Sequence, residues 1–503
     1  MSPNHGSMAT RRSITALAGA FALAFANQYL FYGHVFGVAY SIFMLLLYAY
    51  VFHDRRDRWR EANGFGLFLF VVVMLLSFTY ALFDNPAFQA LDFLAVPTLF
   101  FLHIAYARGA GRAAWWDVRL IEDALKHFVA RSLRHVPTAF RIMKLSTSRK
   151  NGLSNNKTAL KVAVGLALSL PLLLVIVSLL ASADGVFEKA LSSVPSWWSN
   201  LPVGETFGRL VWIFVAGILF FCYFWGFVKP GHRKMATVPE AGADDEEQRA
   251  VGLRIDPIIM MTLLVSVNIV YVLFVVLQFT YLFGAWQGEL PDGKTYAEYA
   301  RSGFLELVAV TLINFALLML ALTALGEMTT ARLRRAISSL LYVLVGCSGV
   351  MLYSAYSRLI LYEDMYGYTY IRFLVHAFMI YLAIMLIIAA VRIRTSAIPL
   401  VKCYIVVSLI AYVFVNYVGM DRIIAEKNIE RYRESGKIDP AYLLELSADA
   451  VPTLAKFAKN EYPNLKPNLD LKRQTLSYKE RGWQSFNWAR HAAMKELDQL
   501  LDK

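Results

Sequence analysis

The sequence predicts an all-α, polytopic integral membrane protein of about eleven transmembrane helices, with a small helical extracytoplasmic C-terminal tail. Three observations carry this. The 503 residues are 57% hydrophobic and only 17% charged, against about 25% charged in an average soluble domain. Runs such as 64–83 and 258–283 approach or exceed the roughly 20 apolar residues that cross a hydrocarbon core. Lysines and arginines gather in alternate short connections, which is an insertion signal. That placement turns the net charge of +13 away from nucleic acid as a partner and toward the lipid bilayer. The period-2 alternation of a membrane β-barrel is absent.

In chain order the spans are expected at 13–32, 35–52, 64–83, 87–107, 161–182, 207–228, 258–284, 303–326, 336–355, 369–391 and 398–418. The first run follows Arg11–Arg12, is long for a signal peptide and has no small-residue cleavage site after it, so it reads as a retained span. The first two spans are joined by Gly33–His34 alone and should form a tight hairpin. Connections on the N-terminal side of the membrane hold 29 lysines and arginines; those on the other side, with their edges, hold six. This places the N-terminus in the cytoplasm. Cys222, Cys347 and Cys403 lie in or at the ends of apolar runs, so no disulfide framework is expected.

Four segments follow: an N-terminal four-helix membrane segment (1–107), a basic cytoplasmic segment (108–160), a seven-helix membrane core (161–419) and the tail (420–503). Within the basic segment, Leu120, Ile121, Leu125, Phe128, Val129 and Leu133 alternate with bases. That pattern suits a helix lying on the inner leaflet, where each juxtamembrane base contributes about 1 kcal/mol; a docking surface for a partner is the other reading. Asp244-Asp245-Glu246-Glu247 reads as a solvated linker. The tail holds 15 basic and 13 acidic residues. It should form a helix over 421–435 and another over 440–458 that Pro452 bends or restarts, then a linker at Pro463 and Pro467, then an amphipathic helix over 481–501. So short a segment should bury only a small core and pack back onto the outer loops.

The most distinctive stretch is 353–372, YSAYSRLILYEDMYGYTYIR, with six tyrosines, Arg358, Arg372 and the pair Glu363–Asp364 between two apolar runs. Tyrosine bodies are apolar and their hydroxyls seek water, so the cluster suits a bilayer surface. Gly367 can end one helix and Thr369 can cap the next, which makes the stretch a structured turn outside the membrane.

Arg358, Arg372, Tyr362, Glu363, Asp364, Tyr366, Glu298 and Arg301 are the candidate ligand-binding residues, all on the outer side by the charge count, with Asp184 and Glu306 nearby. Glu298 and Arg301 stand three apart and would share a helix face. The group reads in three ways: ion pairs tying outer loops to the tail, a recognition site with the arginines as anion forks and tyrosines as stacking walls, or a catalytic site. Asp92 is the intramembrane polar residue, costing at least ~2.5 kcal/mol near mid-membrane. It marks either interfacial pairing, with an outer arginine as one partner, or a proton or ion path. His103 and His376 read as satisfied core histidines, and Asn268, Gln278, Asn314 and Asn416 as interhelical hydrogen-bonding groups.

Four segments carry a family resemblance: LLASADGVFEK (179–189), TYAEYARSGFLEL (295–307), YSRLILYEDMYGYTYIR (356–372) and NIERYRESGKIDPAYLLELSADAVPTL (428–454). Together they resemble bacterial multipass membrane proteins of domain-of-unknown-function family forty-one seventy-three, with its relative family forty-one fifty-three. The resemblance covers roughly residues 160–455. Gly185 stands where proline is expected. The resemblance implies this architecture in a bacterial cytoplasmic membrane and brings no activity, cofactor or catalytic residue.

No Walker loop, dinucleotide fingerprint, H-E-x-x-H, G-x-S-x-G or Cys/His metal spacing is present, so no cofactor or metal is expected. The favoured reading is a non-catalytic envelope protein, with an outer recognition or assembly surface that meets an extracytoplasmic ligand or an envelope partner protein. The alternatives are a secondary transporter, suggested by the span number, Asp92, Pro97 and Pro171, and a membrane enzyme acting on a lipid-linked substrate.

Overall fold

In the computed structural model every described element is a helix. The structure describes residues 5–53, 64–108, 114–150, 203–228, 255–286, 304–323, 330–395, 397–479 and 482–501. The expected span 161–182, the acidic linker 244–247 and the residues Asp184, Glu298 and Arg301 lie outside them. Among the described residues nine helices are long and apolar enough to cross a membrane, and Val38–Phe52 is a shorter apolar helix. Helix is what lipid demands, because each backbone N–H and C=O must find its partner within the segment.

The chain divides into two compact units, one of residues 1–81, 94–234 and 481–486, the other of 82–93, 235–480 and 487–503. In the first unit His5–Phe31 packs along Val203–Val228 through Ala16, Leu17, Ala20, Ile218, Phe221, Cys222 and Trp225. Small residues let these backbones approach: a Cβ at Gly217 would come within 2.8 Å of the Phe21 ring. The hairpin after the first span is looser than a two-residue link. Gly33 turns at φ +74°, but the second helix starts only at Val38. Chain 485–486 lies against Gly37, where a Cβ would sit 2.6 Å from backbone atoms, and Val38 N–H donates to the Phe486 carbonyl at 2.9 Å.

The basic segment forms Arg119–Lys126, a π turn His127–Arg131 and Val136–Lys150. Ile121, Leu125, Phe128, Val129 and Leu133 are exposed, whereas Leu120, read above with that apolar set, turns inward and is buried.

In the second unit the longest element is Ala331–Tyr366, packed against Pro257–Trp286, Phe304–Thr323 and Tyr370–Arg394. At about 1.5 Å per residue its 36 residues extend about 54 Å, more than a bilayer with its headgroups. The helix therefore runs past 355, where the span was expected to leave the membrane, to the helix end expected at Gly367. Ala355, Leu359 and Glu363 continue the buried face beyond Leu352, and nothing breaks the helix before Gly367, at φ +82°. Most of the tyrosine-rich stretch is the last third of a helix, and the turn is only residues 367–369.

Asn268 donates to the Leu340 carbonyl and Asn314 to the Ser348 hydroxyl, each at 2.8 Å, joining neighbouring helices. Asn416 instead bonds the Tyr412 carbonyl of its own helix, Leu400–Tyr417, and the Gln278 side chain lies outside the described set.

The tail is more substantial than its sequence suggests. Met420–Ser435, Pro440–Glu445, Val451–Asn460, Lys466–Lys479 and Trp488–Leu501 surround one apolar core running from Met420 to Leu497. Pro452 stands in the first turn of Val451–Asn460, restarting the helix. The expected linker at Pro463 and Pro467 is a 3-10 turn running into Lys466–Lys479, because proline fits a helix's first turn. The last helix starts at Trp488 rather than Arg481, after a 3-10 turn at Trp483–Ser485.

Candidate functional site

The end of the Ala331–Tyr366 helix is held by the tail. Arg431 donates from Nε to the Asp364 carbonyl at 2.9 Å and from Nη2 to the Met365 carbonyl at 2.6 Å, satisfying acceptors that every helix end leaves open. The Asn428 amide brackets Tyr368, receiving its N–H at 3.0 Å and donating to its carbonyl at 2.8 Å. Thr369 stands at the N-cap of Tyr370–Arg394 as expected, but its side chain makes no capping bond; the Tyr370 N–H goes to the Tyr442 hydroxyl at 2.9 Å.

The candidate residues do not converge on one point. Arg358 is buried, Glu363 is 1% exposed, and Asp364 and Tyr366 point outward. The Arg372 guanidinium lies 4.2 Å from the Tyr362 ring centroid and donates to the Gly367 carbonyl. Tyr362 in turn stands 4.9 Å from Tyr366. Glu363 is paired across the turn with His376, Nδ1 to Oε1 at 3.2 Å, and the His376 ring meets the edge of Tyr356 at 4.7 Å. Glu306 is exposed in the first turn of Phe304–Thr323. Asp92 is fully buried and accepts the Tyr412 hydroxyl at 2.7 Å, so a phenol is one of its partners. His103 bonds the Tyr48 hydroxyl at 2.9 Å inside the core, as a satisfied histidine should.

A second polar group, which the sequence did not disclose, lies where the tail meets residues 84–85 and 370. Asp421, 1% exposed, receives the Tyr370 hydroxyl, the Asn85 amide and, at 2.9 Å, the Ser447 N–H. Asp449 accepts the Asp84 N–H and the Ser447 hydroxyl, both at 2.8 Å. Asp84 receives the Arg490 Nε at 2.8 Å. Lys472 donates to the carbonyls of Leu444 and Leu446. Burial pushes the Asp449 carboxyl up to about 6, against the pull of its two donors, and pushes the Lys472 ammonium down to about 8. These residues come from positions 84 to 490 with no local spacing that would betray them. The signal available was only their polarity beside apolar neighbours.

Chemically the two groups are hydrogen-bonded networks, although His376 Nε2 is buried without a hydrogen-bond partner among the described residues. Among the described residues no group of three or more His, Cys, Asp or Glu is placed to hold a metal ion. A family model described as Domain of unknown function (DUF4153) matches residues 70–457; this is the family named above as the relative. No curated protein and no solved structure matches the chain.

Proposed function

The chain belongs to the DUF4153 family, and from that membership and the geometry we propose a non-catalytic protein of the cytoplasmic membrane, N-terminus inside, whose tail and 353–372 stretch form an outer recognition or assembly surface. The carrying observation is the way Arg431 and Asn428 grip the backbone at 364, 365 and 368. That grip fixes the turn while leaving Asp364, Met365 and Tyr366 exposed, the last two by about half. A rigid, partly apolar, tyrosine-bearing tip has the makings of a contact surface. Glu363, through His376, and Arg372, through the Gly367 carbonyl, brace it from behind. The 29-to-six charge asymmetry supports the orientation.

The test is complementation of a deletion strain with Asp364→Ala and Tyr366→Ala, followed with the amount of folded protein. Persistence of the strain's envelope phenotype at normal protein levels supports the reading. Full complementation by the double variant sinks it. A reporter active only outside the cytoplasm, fused after Lys503, checks the orientation separately. The transporter reading draws on one observation, the full burial of Asp92 within a candidate span.

A further inference from the structure

A groove of about 740 Å³, lined wholly by the second unit, opens along the tail, within the range of about 300–1,000 Å³ that small-molecule sites occupy. One wall is Met420–Ser435, through Arg422, Glu426, Ile429 and Arg433. The other runs from Asp449 into Val451–Asn460, through Thr453, Lys456 and Asn460. The two walls are parallel: the Ser447 N–H reaches Asp421 across 26 residues, and Arg433 reaches Glu461 across 28. Arg422 therefore stands level with Asp449, Glu426 with Thr453, Ile429 with Lys456 and Arg433 with Asn460. Eleven residue steps make each wall about 17 Å long at a helical rise. The base is formed by Leu82, Phe83, Tyr417 and Val418. Leu82 and Tyr417 are the last residues of two candidate spans, so the groove rises from the membrane surface. Trp488 also lines it and is 61% exposed; its neighbour Asn487 ties it to the base by donating to the Phe83 carbonyl at 2.8 Å.

The charges of the lining cancel locally. Arg422 pairs with Glu426 at 2.8 Å, and Arg433 grips Glu461 through two bonds of 2.6 and 2.9 Å. Lys456 and Asp449 remain, one of each sign. Among the described residues nothing bonds the side chains of Thr453, Lys456 or Asn460. Asp449 receives both of its donors at Oδ2, which leaves Oδ1 for an occupant. A polyanion or a polycation would meet like charges along such a wall. A neutral ligand that donates and accepts at every level would not. Each sugar hydroxyl offers one donor and two acceptor lone pairs, and the C–H face of a sugar ring lies flat on an indole.

We propose that this groove binds the neutral sugar head of a glycolipid, its first ring stacked on Trp488 and its hydroxyls bonded to Asp449, Thr453, Lys456 and Asn460. The lipid source follows from the base, where apolar Leu82 and Val418 stand at the point at which the acyl chains enter the bilayer. The proposal rests on the reading of the tail as a recognition surface, but not on the tip at 364–366.

Trp488 and Lys456 are both exposed, so Trp488→Ala and Lys456→Met leave the tail's core intact. Lys459 is exposed on the same helix as Lys456 but does not line the groove, so Lys459→Met is the control. Full-length protein is placed in phosphatidylcholine nanodiscs doped with glucosyl-, galactosyl- or mannosyl-dioleoylglycerol, or with phosphatidylglycerol of the same chains. Retained lipid is counted by native mass spectrometry. The expected result is a sugar-headed lipid held in preference to phosphatidylglycerol by the wild type and by Lys459→Met. Trp488→Ala should lower its retention by about tenfold, as loss of a stacking face does. Lys456→Met should lower it by about fivefold, the worth of one net hydrogen bond. Retention of none of the three sugar heads overturns the proposal, and so does phosphatidylglycerol held as well as the best of them. Equal retention in Trp488→Ala and the wild type overturns the groove as the site and leaves Trp488 an interfacial anchor. None of these outcomes bears on complementation by Asp364→Ala and Tyr366→Ala, so failure here and failure of the recognition reading are separable.

Discussion

Arg490, with none of its side chain exposed, donates from Nε to Oδ1 of Asp84 at 2.8 Å, and Asp84 is itself only 6% exposed. The pair fastens the last tail helix to the short connection between Gly64–Leu82 and Pro86–Arg108. Breaking a buried ion pair from one side strands a charge, which costs about 3–5 kcal/mol, whereas replacing both partners by apolar groups is often neutral. Arg490→Met alone should therefore destabilise the tail by that amount, and Asp84→Leu added to it should recover much of the loss. Chemical denaturation of the detergent-solubilised protein, read as a double-mutant cycle, checks this. Additive losses would show that the pair is not coupled.

The buried carboxyl of Asp449 and ammonium of Lys472 make the tail's stability depend on pH in opposite senses. Asp449 is raised from 3.8 to about 6, so between those values the folded tail keeps a proton that the unfolded chain has released. Stability falls as pH rises through that window and levels off above it. Lys472 is lowered from 10.5 to about 8, so the folded tail has lost a proton that the unfolded chain still binds. Stability then rises with pH from about 8 to 10.5. Together they produce a trough around neutrality. Denaturation midpoints against pH should show it, with Asp449→Asn flattening the acid limb and Lys472→Met the alkaline one.

Gly367 ends the long helix at φ +82° and ψ 172°, a conformation that is essentially glycine's alone. A Cβ there would also stand 2.6 Å from Asn428 Oδ1, the atom that receives the Tyr368 N–H. Gly367→Ala should thus cost about 1–3 kcal/mol in backbone strain and displace the Asn428 bracket besides. Gly436 has φ +68° with no atom within 4 Å of its would-be Cβ, so Gly436→Ala should cost only about 1–2 kcal/mol. Hydrogen exchange at the Tyr368 amide should rise in the first variant and stay unchanged in the second.

What the sequence made legible follows from the range over which each signal acts. Spans are local: an apolar run of sufficient length can do little but cross, and the runs at 64–83 and 258–284 coincide with helices. Gly367 as a helix end is local too, since only its own dihedral is at issue. How the polar residues of that helix's last turns divide was hidden: Arg358 and Glu363 turn inward and Asp364 does not. The tail's core was hidden for another reason. Its buried residues are largely alanines and leucines spread over short helices, so no single run announces them. The network of Asp84, Asp421, Asp449 and Arg490 has no spacing signature, because its members come from distant positions in the chain.

Asp92 separates the transporter reading from the structural one. Its Oδ1 accepts the Tyr412 hydroxyl at 2.7 Å, and an asparagine would offer the same acceptor in the same place. If the pair is a latch between Pro86–Arg108 and Leu400–Tyr417, Asp92→Asn should leave folded yield and complementation unchanged. Tyr412→Phe should then cost about 1–3 kcal/mol, since it removes a donor from a buried acceptor. If Asp92 instead passes a proton or ion, charge is indispensable and the order reverses. Asp92→Asn would abolish ion-coupled uptake in proteoliposomes, while Tyr412→Phe would spare it in part. Thermal melting and proteoliposome flux on the two variants decide between these, because a latch responds to the loss of the hydroxyl and a carrier responds to the loss of the carboxylate.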